Sequence, residues 1–254
     1  MKTSEAKVAV ITGGNKNLGR LLSMDLAMRG ASAIILAKDE ELNKKTVSEI
    51  TQKGQKAAAL KVDLRDPEEV KKAFTMILAE HGKVDILINN AGISYFESAE
   101  KIDEAKVSEM IDVNLRSVYL ACKFVLPSML ENGAGTIVNI SSIYGLRADK
   151  RTAVYSMTKA GLIGYTKGLH ADYGENGIRA KVFCPVAFGE DSILDTNTLS
   201  RKIVGSVYDL KDHFNEVTIL SKKAGTLKIL LFIGKRWDRF GRKKIVGYRF
   251  KITR

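Results

Sequence analysis

The 254-residue sequence has few of the residues that staple or ligate. Its two cysteines, Cys122 and Cys184, lie 62 positions apart and offer neither a disulfide framework nor a zinc pattern. The three histidines, His81, His170 and His213, are equally scattered, and no metal site is expected. The longest aliphatic and aromatic run, Ile229 to Ile233, is far too short to cross a bilayer. Strand-like sequence begins by Lys7, so nothing before it reads as a secretion signal, and a reducing cytoplasm is the expected setting without membrane contact. No internal repeat or low-complexity segment interrupts the chain.

Charge is unevenly placed. Residues 201–254 hold 15 Lys and Arg against 4 Asp and Glu, whereas residues 1–200 hold 26 against 25. The basic stretch Lys235-Arg236-Trp237-Asp238-Arg239-Phe240-Gly241-Arg242-Lys243-Lys244 interleaves two aromatics with six cations. No nucleic-acid module accompanies it, so a subunit interface or a solvated loop is the preferred reading over nucleic acid.

What is present is alternation. Short β-branched runs at Val8–Thr12, Ala33–Leu36, Ala57–Val62, Ile86–Asn89, Thr136–Ile140, Ile178–Phe183 and Ile245–Ile252 alternate with helical patterns. Leu18, Leu21, Leu22 and Leu26 form one helical stripe. Asp66-Pro67-Glu68-Glu69 reads as a capped helix start. Strands that are apolar on both sides suit a parallel sheet covered on two faces. The expected fold is therefore a single α/β domain over residues 1–254, a Rossmann-type doubly wound sheet of seven parallel strands. Residues 187–223 are the least regular and are expected to form a substrate lid.

Thr12-Gly13-Gly14-Asn15-Lys16-Asn17-Leu18-Gly19 follows the first strand and opens a helix. Glycines there allow the backbone to approach a pyrophosphate, and the helix N-terminus offers free N–H groups. Tyr155-Ser156-Met157-Thr158-Lys159 lies in a helical pattern, so the phenol and the ammonium share one face. A cation beside a phenol favours its ionised form, which suits acid–base chemistry. Asn89-Asn90-Ala91-Gly92 ends the fourth strand and Asn139-Ile140-Ser141-Ser142 the fifth, where such sheets bind ligands. Asn114 lies in a helical segment between them.

With these motifs in order, residues 6–186 resemble the short-chain dehydrogenase/reductase family. The resemblance implies a nicotinamide-dependent oxidoreductase that interconverts a ketone or aldehyde and a secondary alcohol. It implies Tyr155 as proton donor and acceptor, and Lys159 lowering the tyrosine pKa while holding the nicotinamide ribose. Ser142 would polarise the substrate oxygen, and Asn114 would hold a water that links Lys159 to solvent. Gly13, Asn15, Lys16, Asn17, Leu18, Gly19, Lys38, Asp63, Leu64, Asn90, Ala91, Gly92, Pro185 and Val186 would line the cofactor, with Asp63 at the adenine. Family members pair through the helices that correspond to Val113–Leu130 and Ala153–Asp172, so a homodimer or homotetramer is expected.

The chain also departs from the family. Asn17 stands where a second glycine is usual, and Asn tolerates left-handed backbone. Lys181 and Val186 replace the Asn and Gly of a family motif, Glu190 or Ser192 stands at the usual nicotinamide-clamping Thr, and the C-terminal family motif is missing. The second strand ends in Ala37-Lys38 without an acid, and with Lys16 this favours NADP(H) over NAD(H), unless Asp39 reaches the ribose. Tyr95, Phe96 and Tyr144 are expected to wall the substrate site, beside a basic loop of Arg147, Lys150 and Arg151. A 3-oxoacyl thioester is one candidate substrate. A cofactor-binding regulatory protein on a degenerate scaffold is the alternative to an enzyme.

Overall fold

Val8-Ala9-Val10-Ile11-Thr12 is apolar on both sides and buried throughout, as a central parallel strand requires, and it forms β1. The computed structural model describes residues 6–185 and 196–209, together with the backbone of the strands at 216–220, 226–237 and 243–252. From β1 the chain alternates through α1 (Asn17–Met28), β2 (Ser32–Ala37), α2 (Glu40–Thr51), β3 (Ala57–Lys61), α3 (Pro67–His81) and β4 (Ile86–Asn89). It continues through α4 (Glu104–Ile111), α5 (Ser117–Glu131), β5 (Gly135–Ile140), α6 (Ala153–Tyr173), β6 (Ile178–Pro185) and α7 (Thr196–Tyr208). The last strands are β7 (Glu216–Leu220), β8 (Thr226–Trp237) and β9 (Lys243–Ile252).

Among the described residues, nine strands form one sheet in the order β3-β2-β1-β4-β5-β6-β7-β8-β9. The first seven run parallel, with Ile11 level with Ile35 on one side and Ile88 on the other. The doubly wound α/β fold read from the sequence is the one observed. The chain leaves β1 toward β3 and returns at β4, so the winding reverses between β1 and β4. In doubly wound sheets the ligand crevice lies at the carboxyl ends of the strands beside such a reversal.

One expectation is corrected. The seventh parallel strand is Glu216–Leu220, whereas Ile245–Ile252 belongs to β9, the antiparallel edge of the sheet. Alternation alone does not give strand direction. Only residues 238–242 separate β8 from β9, and a connection so short permits antiparallel pairing alone. The basic stretch Lys235–Lys244 lies at this end of the hairpin, with Arg236 level with Lys244, and its middle falls outside the described residues. The stretch 187–223 also holds regular structure. Leu199, Ile203, Val204 and Val207 of α7 are buried with Leu18, Leu22 and Leu26 of α1 in one apolar cluster. Their i, i+4, i+5, i+8 spacing is a helix face, diluted in sequence by the polar residues between them. The other sheet face is covered by α3, α5 and α6, with Phe74, Cys122, Val125 and Leu162 in the cluster there.

Candidate active site

The turn after β1 is built by backbone chemistry. Gly13 takes φ 62 and its N–H donates to Leu36 O at 2.8 Å. Asn17 takes φ 46, the left-handed conformation that glycine would otherwise supply. Asn15 is buried, and its Nδ2 donates to Asp39 O at 3.2 Å, which holds the glycine turn against the end of β2. Lys16 is exposed at the helix start, while the Leu18 side chain is buried in the apolar cluster. Asp39, Asp66 and Asp103 cap α2, α3 and α4 with their side chains. Helix α1 has no side-chain cap and no acid in its first turn. Its leading N–H groups and the positive end of its dipole therefore face the crevice free for an anion. Asp39 caps α2, its Oδ1 accepting from Leu42 N at 3.0 Å.

At the end of β4 the asparagines act as pins. Asn89 Nδ2 donates to Asn139 Oδ1 at 2.8 Å, and Asn139 Nδ2 donates to Thr166 Oγ1 at 2.9 Å. Asn90 Nδ2 donates to the carbonyl oxygens of Thr12 and Gly13 at 3.1 and 3.2 Å. The backbone N–H groups of Asn90 and Ala91 both donate to Thr12 Oγ1 at 3.1 Å. The Asn90 Nδ2 group is thus engaged within the protein. Gly92 lies against Lys159, for a Cβ there would stand 3.1 Å from Lys159 Nζ.

Tyr155 and Lys159 lie one turn apart on α6, and Lys159 Nζ sits 5.7 Å from the centre of the Tyr155 ring. Lys159 is buried and donates to Ile140 O at 3.1 Å, while Ser141 Oγ donates to Lys159 O at 2.7 Å. Burial pushes the Lys159 ammonium down to about 8, against a small opposing pull from Cys184. Burial also raises the Tyr155 phenol above its ordinary value, a hydrogen bond with Ser142 partly offsets this, and Tyr144 adds to the rise. Desolvation of the phenolate is the largest of these influences.

Asn114 lies in a π-helical turn, Asp112–Arg116, between α4 and α5. Its Oδ1 accepts from Ile93 N at 2.8 Å, and its Nδ2 donates to Ile93 O at 2.9 Å and Thr158 Oγ1 at 3.1 Å. The wider turn swings this amide inward, a device for which the sequence carries no periodic signal.

At the outer end of the crevice, Lys38 Nζ lies 3.1 Å from Asp63 Oδ2. The Arg65 guanidinium beside Asp63 holds that carboxyl well below the usual carboxylate range. Arg65 escaped the sequence reading, its only signal being a cation two residues beyond Asp63. Leu64 is partly buried against the apolar cluster under α3 and α5. Pro185 is buried at the end of β6, whereas Val186, Glu190 and Ser192 lie outside the described residues.

Phe96 and Tyr144 form the expected aromatic wall, with ring centres 5.6 and 6.2 Å from that of Tyr155. Tyr95 does not join them, because its hydroxyl donates to Glu109 and Lys106 stands over its ring. In the basic loop, Arg151 is paired with Glu97 at 3.0 Å.

Residues 7–199 match the family model described as short chain dehydrogenase. The chain belongs to that family. It is 35% identical over 180 residues to a 3-oxoacyl-[acyl-carrier-protein] reductase FabG of Chlamydia muridarum, covering 70% of this chain and 73% of that one. It is 29% identical over 229 residues to a 3beta-hydroxysteroid dehydrogenase of Mediterraneibacter gnavus, covering 88% and 82%. Among solved structures it is similar to a metagenomic short-chain oxidoreductase in complex with NADP, with a TM-score of 0.76, 27% identity, and coverage of 82% of this chain and 93% of that one. The chain is therefore an oxidoreductase of this family, acting on CH–OH groups with NAD(P). Its residues fit such a group: the helix start is uncapped, and Gly13, Gly19 and Gly92 pack so closely on their neighbours that a Cβ would crowd them, which keeps the turn tight against the end of β4.

Proposed function

We propose that this chain reduces a ketone to a secondary alcohol, or the reverse, with NADP(H), and that Tyr155, Ser142, Lys159 and Asn114 carry the reaction. The observation that supports this best is the buried Lys159 ammonium one turn below Tyr155, 5.7 Å from the centre of its ring. The nicotinamide, when bound, supplies or takes the hydride. Ser142 holds the substrate oxygen, and the Tyr155 hydroxyl gives it a proton in reduction or takes one in oxidation. Lys159 stays close enough to stabilise the phenolate left behind and to donate to a ribose hydroxyl. Asn114 keeps the Ile93 backbone and α6 in fixed relation, with its Oδ1 toward Gly92 and Lys159. Residues 187–223, with α7 among them, would supply the substrate-side lid.

Lys16, exposed beside the uncapped start of α1, and Lys38, two-thirds exposed at the end of β2, favour the 2′-phosphate. Alanine at both should abolish any preference for NADPH over NADH in kcat/KM, and an unchanged ratio would show them to be only surface charges. Fluorescence titration with NADPH, followed by turnover on a carbonyl panel, tests the reading as a whole. Nucleotide binding without turnover on any member would support the regulatory alternative. The panel should include a 3-oxoacyl thioester and a ring ketone, since the wall of Phe96 and Tyr144 suits apolar groups and relatives of both substrate types are similar to the chain.

A further inference from the structure

Four charged groups meet at the outer end of the crevice, and their order is uneven. Arg65 Nε lies 3.0 and 3.2 Å from the two Asp63 carboxylate oxygens, its second nitrogen lies 2.6 Å from Oδ2, and its backbone N–H donates to Oδ1 at 3.1 Å. Lys38 adds a single contact of 3.1 Å to Oδ2, from a side chain that is 66% exposed. The other arm of Arg65 is held at 2.9 Å by Glu109, which also accepts from Tyr95. Asp63 is thus largely satisfied by the Arg65 fork, and Lys38 is the loosely held partner. A forked guanidinium on a carboxylate is much the stronger arrangement, whereas a single exposed ammonium contact is weak and easily exchanged.

We infer that Arg65 is a specificity-determining residue that favours the phosphorylated cofactor through Asp63, by neutralising that carboxylate and leaving Lys38 free to turn to the 2′-phosphate. This rests on the NADP(H) reading given above. Without Arg65, Lys38 is the one cation that remains on Asp63 among the described contacts, and it is held there more tightly. The unneutralised carboxylate would also repel the dianionic phosphate. The unphosphorylated cofactor carries no such charge and would notice neither change. Arg65 is therefore a positioning residue whose effect passes through a second side chain.

The dissociation constants of NADPH and NADH, measured by fluorescence titration of the full chain, provide the test for wild type, R65Q, D63N and the double variant. R65Q should weaken NADPH about three- to tenfold, the scale of losing an ion-pair partner beside a dianion, and leave NADH nearly unchanged. D63N in the R65Q background should return the NADPH/NADH ratio to the wild-type value, even if both constants shift together through the adenine side. A non-additive cycle of this kind is the signature of action through Asp63. A ratio unmoved by R65Q overturns the inference while leaving the NADP(H) reading intact. A fall that D63N does not repair also overturns it, because Arg65 would then touch the phosphate itself or only hold the fold. A wild type that prefers NADH, or binds neither nucleotide, overturns the underlying reading and this inference together.

Discussion

A methyl group placed on Gly19 would stand 2.0 Å from the carbonyl oxygen of Gly13, so the first turn of α1 and the glycine turn before it touch backbone to backbone. This contact aims the start of α1 at the crevice, and backbone cannot yield to a Cβ as a flexible side chain would. Gly19→Ala should therefore lower the melting temperature and abolish detectable NADPH binding. Gly164 is exposed within α6, and a Cβ added there would meet nothing within 4 Å. Gly164→Ala should stabilise by about 0.5–1 kcal/mol, the usual helix preference for alanine over glycine. Thermal melts of both variants check the pair, and similar melting curves would contradict it.

Tyr155→Phe removes the hydroxyl and keeps the ring against Phe96 and Tyr144. Nucleotide binding should persist, and kcat should fall by at least ~10²-fold, the scale of acid–base catalysis. Near-normal turnover would remove Tyr155 from the proton-transfer role.

Lys159 gives a pH signature without any substrate. Its folded pKa is about 8, below the ordinary lysine value of 10.5, so between those values the unfolded chain binds more protons than the folded one. Stability from this group must then rise with pH across that window, the reverse of a lysine held by an ion pair. Below pH 8 the buried charge costs the fold roughly 3 kcal/mol, at about 1.36 kcal/mol for each unit of displacement. Lys159→Met should be stabilised relative to wild type at pH 7, and the difference should shrink by pH 10. Chemical denaturation at both pH values measures it. A difference independent of pH would mean that Lys159 titrates normally.

The sheet and the main motifs were legible because each rests on local pattern. Val8–Thr12 and Ile86–Asn89 are apolar runs ending in polar residues, and both match the observed strands to the residue. Asn17 was readable as a left-handed residue because few other side chains tolerate φ 46. What escaped depends on contacts between distant segments. Nothing around Tyr95 indicates that Glu109 captures its hydroxyl, and nothing near Asp63 indicates that Arg65 and not Lys38 dominates it. Strand direction at β9 and the helix inside residues 187–223 were missed for a related reason, since pairing and packing against α1 decide both.

A groove of about 450 Å³ between α5 and α6 is lined by Tyr119, Leu126, Leu130, Tyr165 and Leu169, among others. Tyr119 is about half exposed, a costly position for an aromatic ring on a lone chain. If these helices pair between two chains, as the family resemblance implies, light scattering should give a particle of at least twice the 28.0 kDa chain mass. Tyr119→Glu places a charge in the seam and should shift the population toward single chains. A 28 kDa particle for wild type at micromolar concentration would remove the interface.

The last prediction concerns Asn114, whose amide is fully buried and makes three hydrogen bonds at once. Two satisfy the N–H and C=O of Ile93, the residue after Gly92, and the third reaches Thr158, the residue before Lys159 on α6. Asn114 thus ties the floor of the crevice to the helix that carries Tyr155. Asn114→Ala would leave the Ile93 N–H and C=O without these partners, and each unmet buried group costs about 1–3 kcal/mol. Asn114→Asp keeps the acceptor for Ile93 N–H but loses both donated bonds and buries a carboxylate, so it should be no better tolerated. Both variants should lose about 2–6 kcal/mol of unfolding free energy, the summed scale of two such groups. The loss should be partly recovered by saturating NADPH, because the bound nucleotide stabilises only the arranged crevice. Denaturant titrations with and without NADPH give both quantities. Wild-type stability in Asn114→Ala would show that water replaces the amide, and that the Ile93 loop does not depend on it.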